Sequence, residues 1–510
     1  MRRAALRWSA ALAAAALVLT GCGGGGEEPA GAAGEYDPNA VFRYAVPGNP
    51  TSFDPRQSAP LDPVFLDVVY ESLIERTPDG QLKPGLATEW SFSADNTVLD
   101  LELREGVTFH DGEKLDAAAA VASLEALRAR GAQASALRTV EKVEATGPMS
   151  LRITFSEPSG YMINVLAGEA GIVVSPKAID DPNLGTKPVG TGAFKLQSLE
   201  QGRVTFTRFD DYWNNEATTI AGIEMIAFSD EPTRLRAVVS GEVDGTTINA
   251  GQVREAKANG LTVVQGPNST FNGMLLNTSR PELADPRVRK AIMHAIDRKA
   301  IADSLFDGGC TPTVQPFAEG FWPHVPEMSD VTPYYDPEKA KSLLAEAGHP
   351  NGISFDIVHG PNTTYQNLSQ ALQAQLREAG INVTVRPLEF TQMIEARRSG
   401  NFVATVALVQ AGRPDPSQFV VDFYSPGGTY NPGGFSEPGI AELLSKSRAS
   451  SDENERAAYT REIFQKVFDA GPPVIPVCAV QWVAAFRDGV TGFEVPRYGD
   501  YDFTKIKISR

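Results

Sequence analysis

Between Asn268 and Gly309 the apolar positions sort into a strand, a turn and two helices. Phe271 to Asn277 is a short apolar run, and Pro281, Asp285 and Pro286 punctuate the residues after it. Asp285 stands where an N-cap belongs, with Pro286 at the first helical position. Val288, Ala291, Ile292, Ala295 and Ile296 then recur at i, i+3, i+4, i+7 and i+8, one apolar stripe, with Arg287, Arg289, Lys290 and His294 off it. Asp297 is placed to cap a second helix over 299–306, which Gly308 and Gly309 end.

The same patterning continues on both sides. Val98 to Leu103 alternates as a strand, Asp111-Gly112 marks a turn, and Asp116 caps a helix carrying Val121, Leu124 and Leu127 up to Gly131. Phe194 to Leu199 reads as a strand. Later, Asp336 and Pro337 open a helix bearing Ala340, Leu343 and Leu344, which Gly348 and Pro350 close. Ile353–Val358, Leu368–Ala379 and Val383–Val385 then read strand, helix, strand, a βαβ unit with parallel pairing. Ser450 to Glu453 fits a capping box before a helix with Tyr459, Ile463, Phe464 and Val467 on one face. The fold class is α/β, in two lobes that the 268–309 segment joins. A chain of 510 residues is too long for one core.

Several stretches resemble one family. LLNTSRPELADPRVRKAIMHAIDRKAI, beginning at Leu275, is similar to the most recognisable segment of the extracytoplasmic solute-binding proteins of family 5, the peptide, dipeptide and nickel binders that feed ABC importers. FRYAVPGNPTSFDP from Phe42, YESLIERTPDGQLKPGLATEW from Tyr70, the Asp95–Leu127 stretch, PVGTGAF from Pro188, FDDYW from Phe209 and SGEVDG from Ser240 continue the likeness. The resemblance implies the two-lobed periplasmic-binding-protein fold, type II in its large form. Lobe one would span 40–267 with a subdomain inserted at 57–180, lobe two 268–484, and 485–510 would return to lobe one. It implies a monomer that takes a small peptide-like solute into the cleft and delivers it to permease subunits, with no cofactor. A non-peptide ligand, whether anionic, planar, sugar or metal chelate, or a surface receptor without transport, fits the same fold.

Charge and the N-terminus refine this picture. Arg2, Arg3 and Arg7 precede an apolar stretch from Trp8 to Leu19, too short to span a bilayer and typical of an export signal over 1–21. Leu19-Thr20-Gly21-Cys22 resembles a lipobox, which would make Cys22 the lipidated first residue of a membrane-anchored protein; a plain secretory signal is the alternative. Residues 23–39, rich in Gly, Ala, Glu and Pro, read as a tether. Loss of the signal leaves 43 basic against 63 acidic side chains, a charge of −20, which excludes nucleic acid as an expected partner. Cys310 and Cys478 remain, and in an exported chain they form one disulfide or stay as two buried thiols.

Catalytic patterns are absent from the sequence: no GxSxG, HExxH, CxxC or Walker motif occurs, and the five histidines are never spaced i, i+4. Candidate site residues come instead from the resemblance. In the family's peptide binders an aspartate three residues before an acidic-Pro pair holds the ligand's α-amino group. Aligned on Asp415-Pro416, that position is Gly412, and its neighbour Arg413 carries the opposite charge, suited to an anionic ligand or to solvent. Gln410 and Ala411 belong to the same loop, and Asp415 and Asp54 are the next carboxylates in line. Gly190 and Thr191 of the PVGTGAF run, with Phe271, Asn272 and Trp482 of the crossings, complete the set. His110, beside a turn, reads as a hydrogen-bonding loop residue.

Overall fold

In this computed structural model the described residues are 36–509, apart from 307 and 412–414. Eleven strands form one continuous sheet: β1 Val41–Val46, β2 Phe194–Glu200, β3 Arg203–Arg208, β4 Gly222–Ala227, β5 Gly245–Thr247, β6 Thr262–Leu276, β7 Cys310–Pro312, β8 Ile353–His359, β9 Ile381–Pro387, β10 Ala404–Gln410 and β11 Val474–Phe486. They lie in the order β9-β8-β10-β6-β11-β5-β1-β4-β3-β2, with β7 added to β11. The helices used below are α1 Ala117–Arg130, α2 Met162–Val165, α3 Pro286–His294, α4 Arg298–Leu305, α5 Thr363–Glu378, α6 Pro416–Tyr424, α7 Ile440–Ala449 and α8 Glu453–Asp469.

β6 and β11 join the lobes. Thr262–Pro267 pairs with Gln481–Phe486 in lobe one, where β11 also takes β5. Phe271–Leu275 pairs with Val474–Ala479 in lobe two, where β6 also takes β10 and β11 takes β7. The register breaks between Pro267 and Phe271, and again between Asn272 and Gly273. Such irregularities bend and twist a strand locally, so the ladder yields at the point where the lobes meet. The return crossing falls near Val480, earlier than the expected 484/485 boundary, because Trp482, Ala484 and Phe486 pack into lobe one's aromatic core. A disulfide joins Cys310 to Cys478, Cα atoms 5.6 Å apart, and staples β7 to β11 on the lobe-two side.

An antiparallel sheet of four strands, Ala87–Phe92, Val98–Leu103, Ser150–Phe155 and Val140–Ala145 in that order, packs with α1 around its own core running from Leu73 to Val173. This insertion is narrower than 57–180, since Phe65, Leu66 and Val69 at its start and Val174, Ala178 and Ile179 at its end belong to lobe one's main core. At the N-terminus, Tyr36 already bridges Ser509 and the Asp37 N–H donates to the Ile508 carbonyl at 2.9 Å, so the chain is held before the Asn39 limit expected for the tether.

Caps form where short acceptor side chains meet free N–H groups. Asp116, Asp285 and Asp297 accept from Ala119, Arg287 and Ala300. At α8 the cap is Asp452, which accepts from Asn454 and Glu455, while Ser450 lies upstream and donates to Glu455. The expected Ser450–Glu453 box is thus displaced by two residues: the Ser450 hydroxyl takes the Asp452 N–H, ahead of the helix, and the Asp452 carboxylate takes the amides of its first turn. β8 and β9 pair in parallel with α5 between them, as a βαβ unit requires.

Candidate functional site

The end of β10 sits on the crossing. Thr270 is opposite Gln410, and the Ala411 N–H donates to the Ser269 carbonyl at 2.7 Å. Gly412 and Arg413 lie outside the described residues. Asp415 closes the loop, fully buried. Its Oδ1 accepts from the Ser417 N–H and hydroxyl, capping α6, and Arg456 Nη2 reaches Oδ1 and Oδ2 at 2.7 and 2.6 Å. Burial opposes ionisation of Asp415, but the charge and hydrogen bonds of Arg456 outweigh it and hold its pKa below the usual carboxylate value. The Arg456 guanidinium in turn lies 5.0 Å from the centre of the Trp322 ring. Asp415 is therefore committed to α6 and α8 rather than offered to a ligand.

Two cavities meet at Tyr498. One, about 270 Å³, lies in lobe one between the hairpin strand Ile74–Arg76, the Tyr212–Trp213 pair and the tail from Glu494 to Lys505. The other, about 400 Å³, lies between lobes, with Asp79 and Gln81 on one side and Phe321, Trp322, Glu453 and Arg461 on the other. The Tyr498 ring meets the edge of Phe321 at 4.9 Å and carries the Arg76 guanidinium 5.1 Å from its centre. Arg76 is anchored by the Asn164 and Ala167 carbonyls and by Asp500 at 3.4 Å. Burial raises the pKa of Glu453, which faces Gln81 across the gap. A seam built this way presents aromatic walls, hydrogen-bonding groups and charges of both signs to a small polar solute.

Glu71 lines the lobe-one cavity and is buried. Its Oε1 accepts from the Tyr212 hydroxyl and the Trp213 indole N–H, each at 2.9 Å. Desolvation, reinforced by Glu75, pushes its pKa up to about 7, against donation from Thr191, Trp213 and Tyr212. Thr191 is buried beside it. Its hydroxyl stands near enough to the Glu71 carboxyl to favour the ionised form.

The remaining sequence candidates separate. Asp54 is buried and chelates Arg56, with bonds of 2.9 Å to Nη2 and Nε, while capping the turn Pro55–Gln57. Gly190 is a packing residue: a Cβ there would collide with the Val69 carbonyl oxygen. Phe271 is fully buried among the aromatics of lobe two, edge-on to Phe419. Trp482 stacks on Phe493 at 5.2 Å inside lobe one. Asn272 is buried in β6 and Gln410 is exposed at the end of β10. The His110 ring meets the Gly192 carbonyl at 2.9 Å, and burial lowers its pKa to about 4. Sequence reasoning missed Arg76, Tyr498 and Glu453, which lie far apart along the chain and carry no periodic signal.

The model of the bacterial extracellular solute-binding proteins, family 5, matches residues 81–431, and the chain belongs to this family of ABC-importer binding proteins. Among curated proteins, the glutathione-binding protein GsiB of Salmonella paratyphi A is 28% identical over 474 residues, covering 88% of this chain and 91% of that one. GsiB of Escherichia coli K12 is 27% identical with the same coverage. Among solved structures, the binding protein AgaA in complex with agropinic acid, from A. tumefaciens R10, superposes with a TM-score of 0.75 at 26% identity, over 92% of this chain and 99% of that one. CtaP of Listeria monocytogenes shares the fold with a TM-score of 0.83 at 19% identity, over 92% and 100%.

Proposed function

We propose that the chain captures a peptide or peptide-like small solute between its lobes and delivers it, unchanged, to the permease of an ABC importer. The observation that carries this reading is the Tyr498 seam: a polar, aromatic-walled cavity shared by two lobes that a bulged strand pair allows to move. Binding energy would draw the lobes together around the solute. GsiB, named for glutathione, makes the peptide-like class the first to test. Recognition of the solute's α-ammonium by the loop before α6 lacks an anionic partner, since position 412 is glycine and the Asp415 carboxylate is held by Arg456. A buried ammonium without such a partner is costly.

Native mass spectrometry of the protein purified without refolding, followed by calorimetry with glutathione and with di- and tripeptides in free and N-acetylated forms, tests the reading. The expected result is a bound solute recovered intact, with free-amine peptides binding no better than their acetylated forms. A converted product, or no binding of any peptide in either form, would overturn the reading; binding that acetylation abolishes would overturn only the missing ammonium partner and assign that role to another carboxylate. We further propose that Cys22 carries the lipid that holds the protein on the outer face of the cell membrane. At about 0.8 kcal/mol per buried CH₂, two or more acyl chains anchor stably. Cys22→Ala is expected to release the chain from the membrane fraction, and retention there would sink the anchor.

A further inference from the structure

Away from the Tyr498 seam and the crossing strands, the described residues bring the lobes together at a backbone contact between the loop ahead of α2 and the end of α7. The Gly160 N–H donates to the Ala449 carbonyl at 3.3 Å and the Tyr161 N–H to the Arg448 carbonyl at 3.2 Å. Carbonyls in the last turn of a helix have no partner within it, so these donors from the other lobe satisfy groups that α7 leaves open. The Arg448 guanidinium lies over the face of Tyr161, 3.9 Å from the ring centre. Beside this point an interlobe cavity of about 450 Å³ stays open, with Arg138, Glu157 and Pro158 facing Tyr424, Glu437 and Leu444. The contact is therefore a narrow bridge and not the edge of a packed interface.

Each half is built rigidly into its own lobe. The Ser159 hydroxyl bonds Thr139 Oγ1 at 3.0 Å and its N–H donates to the Asn96 carbonyl at 2.8 Å, while Tyr161 sits in the core of the inserted subdomain. On the other side Ser447 bonds Thr460, and Arg456 Nε donates to the Ser447 carbonyl at 3.0 Å. Gly160 does not have the positive φ that singles out glycine. Its missing side chain matters for another reason: a Cβ would collide with the carbonyl group of Ser450 and the nitrogen of Ser451, which belong to the opposite lobe. The three atoms nearest that Cβ all belong to the opposite lobe.

We infer that Gly160, Tyr161 and the Arg448–Ser450 turn form a latch that holds the closed arrangement of the lobes, with glycine at position 160 setting how closely they approach. The inference rests on lobe closure as the mode of capture, and it assigns the release step to a place remote from the solute. Both partners are polar backbone with a single cation-π contact, so the latch is short-range and weak enough to open repeatedly.

The test is ligand-free single-molecule FRET on the mature chain carrying Cys22→Ser, with dyes on Leu61→Cys in lobe one and Ile394→Cys in lobe two, both exposed in the wild type. Gly160→Ala is expected to shorten closed-state dwells about tenfold, the loss of roughly two hydrogen bonds, and to leave the closing rate and the thermal midpoint in place. Arg448→Gln, on the other lobe, keeps the backbone bonds and should shorten the dwells by a smaller factor. Equal dwells in wild type and both variants, or a wild type that never visits the closed arrangement, would overturn the latch. Neither outcome depends on which solute binds, so failure of the latch is distinguishable from failure of the proposed ligand class.

Discussion

Arg289, Arg298 and Glu71 show what a buried charge does when its partners are fixed. Both arginines are buried: Arg289, off the apolar stripe of its helix, donates to the Leu283, Ala284, Ala470 and Gly471 carbonyls, and Arg298, on the face of Ile301 and Ala302, donates to Met293, Ile296 and Pro476. Arg289 ties the turn before α3 to the end of α8, and Arg298 ties the end of α3 to β11, roles that periodicity alone does not reveal. Glu71 has the opposite consequence. Its pKa rises from 4.5 to about 7 on folding, so the folded state binds the extra proton. Its contribution is fully present below about pH 4.5 and is lost as pH rises through 7. Between pH 5 and pH 8 that loss is about 2–3 kcal/mol, since each tenfold difference in proton affinity between folded and unfolded chains is worth about 1.36 kcal/mol. Glu71→Gln is expected to flatten this stretch of the stability profile. Urea unfolding at the two pH values checks it, and a variant that declines as steeply as the wild type would rule out Glu71 as the source.

The elements with local causes are legible in the sequence. Asp116, Asp285 and Asp297 cap the helices that their positions predict, and the strand-helix-strand pattern after Ile353 folds as a parallel unit. Ser450 misleads because a serine and an aspartate two residues apart offer similar signals, and only geometry decides which one reaches the amides. The candidate site is legible only in its backbone. Gln410 and Ala411 lie against Thr270 and Ser269, but Phe271 and Trp482 point into the two cores, since strands covered on both faces carry no alternation to say which side is open. Cys310 and Cys478 close a loop with a sequence separation of 168 and fasten β7 to β11 just beyond the bulge. Reduction is expected to lower the unfolding free energy by about 2–4 kcal/mol. Denaturant midpoints with and without reductant measure it; an unchanged midpoint with both thiols titrated would remove the bridge from the stability of lobe two.

At the scale of the whole molecule, the two lobes are not independent folding units. β6 contributes its first half to lobe one and its second to lobe two, and β11 does the reverse. Unfolding either lobe strips hydrogen-bonded neighbours from the strands of the other. Calorimetry of the ligand-free chain is therefore expected to give a single melting transition, although a chain of this size commonly shows more than one. Two resolved peaks would mean that the bulges uncouple the halves.

Shared strands also dictate how such a protein can be recombined. Trading one relative's lobe for another's by cutting at surface loops would leave half-strands unpaired in the middle of the sheet. The junctions have to fall inside β6 and β11 together, between Pro267 and Phe271 on one and near Val480 on the other, so that each graft brings its own register to the bulge. A hybrid spliced there would inherit the approach distance at Gly160 from one parent and the α7 turn from the other, and would close only where the two shapes agree.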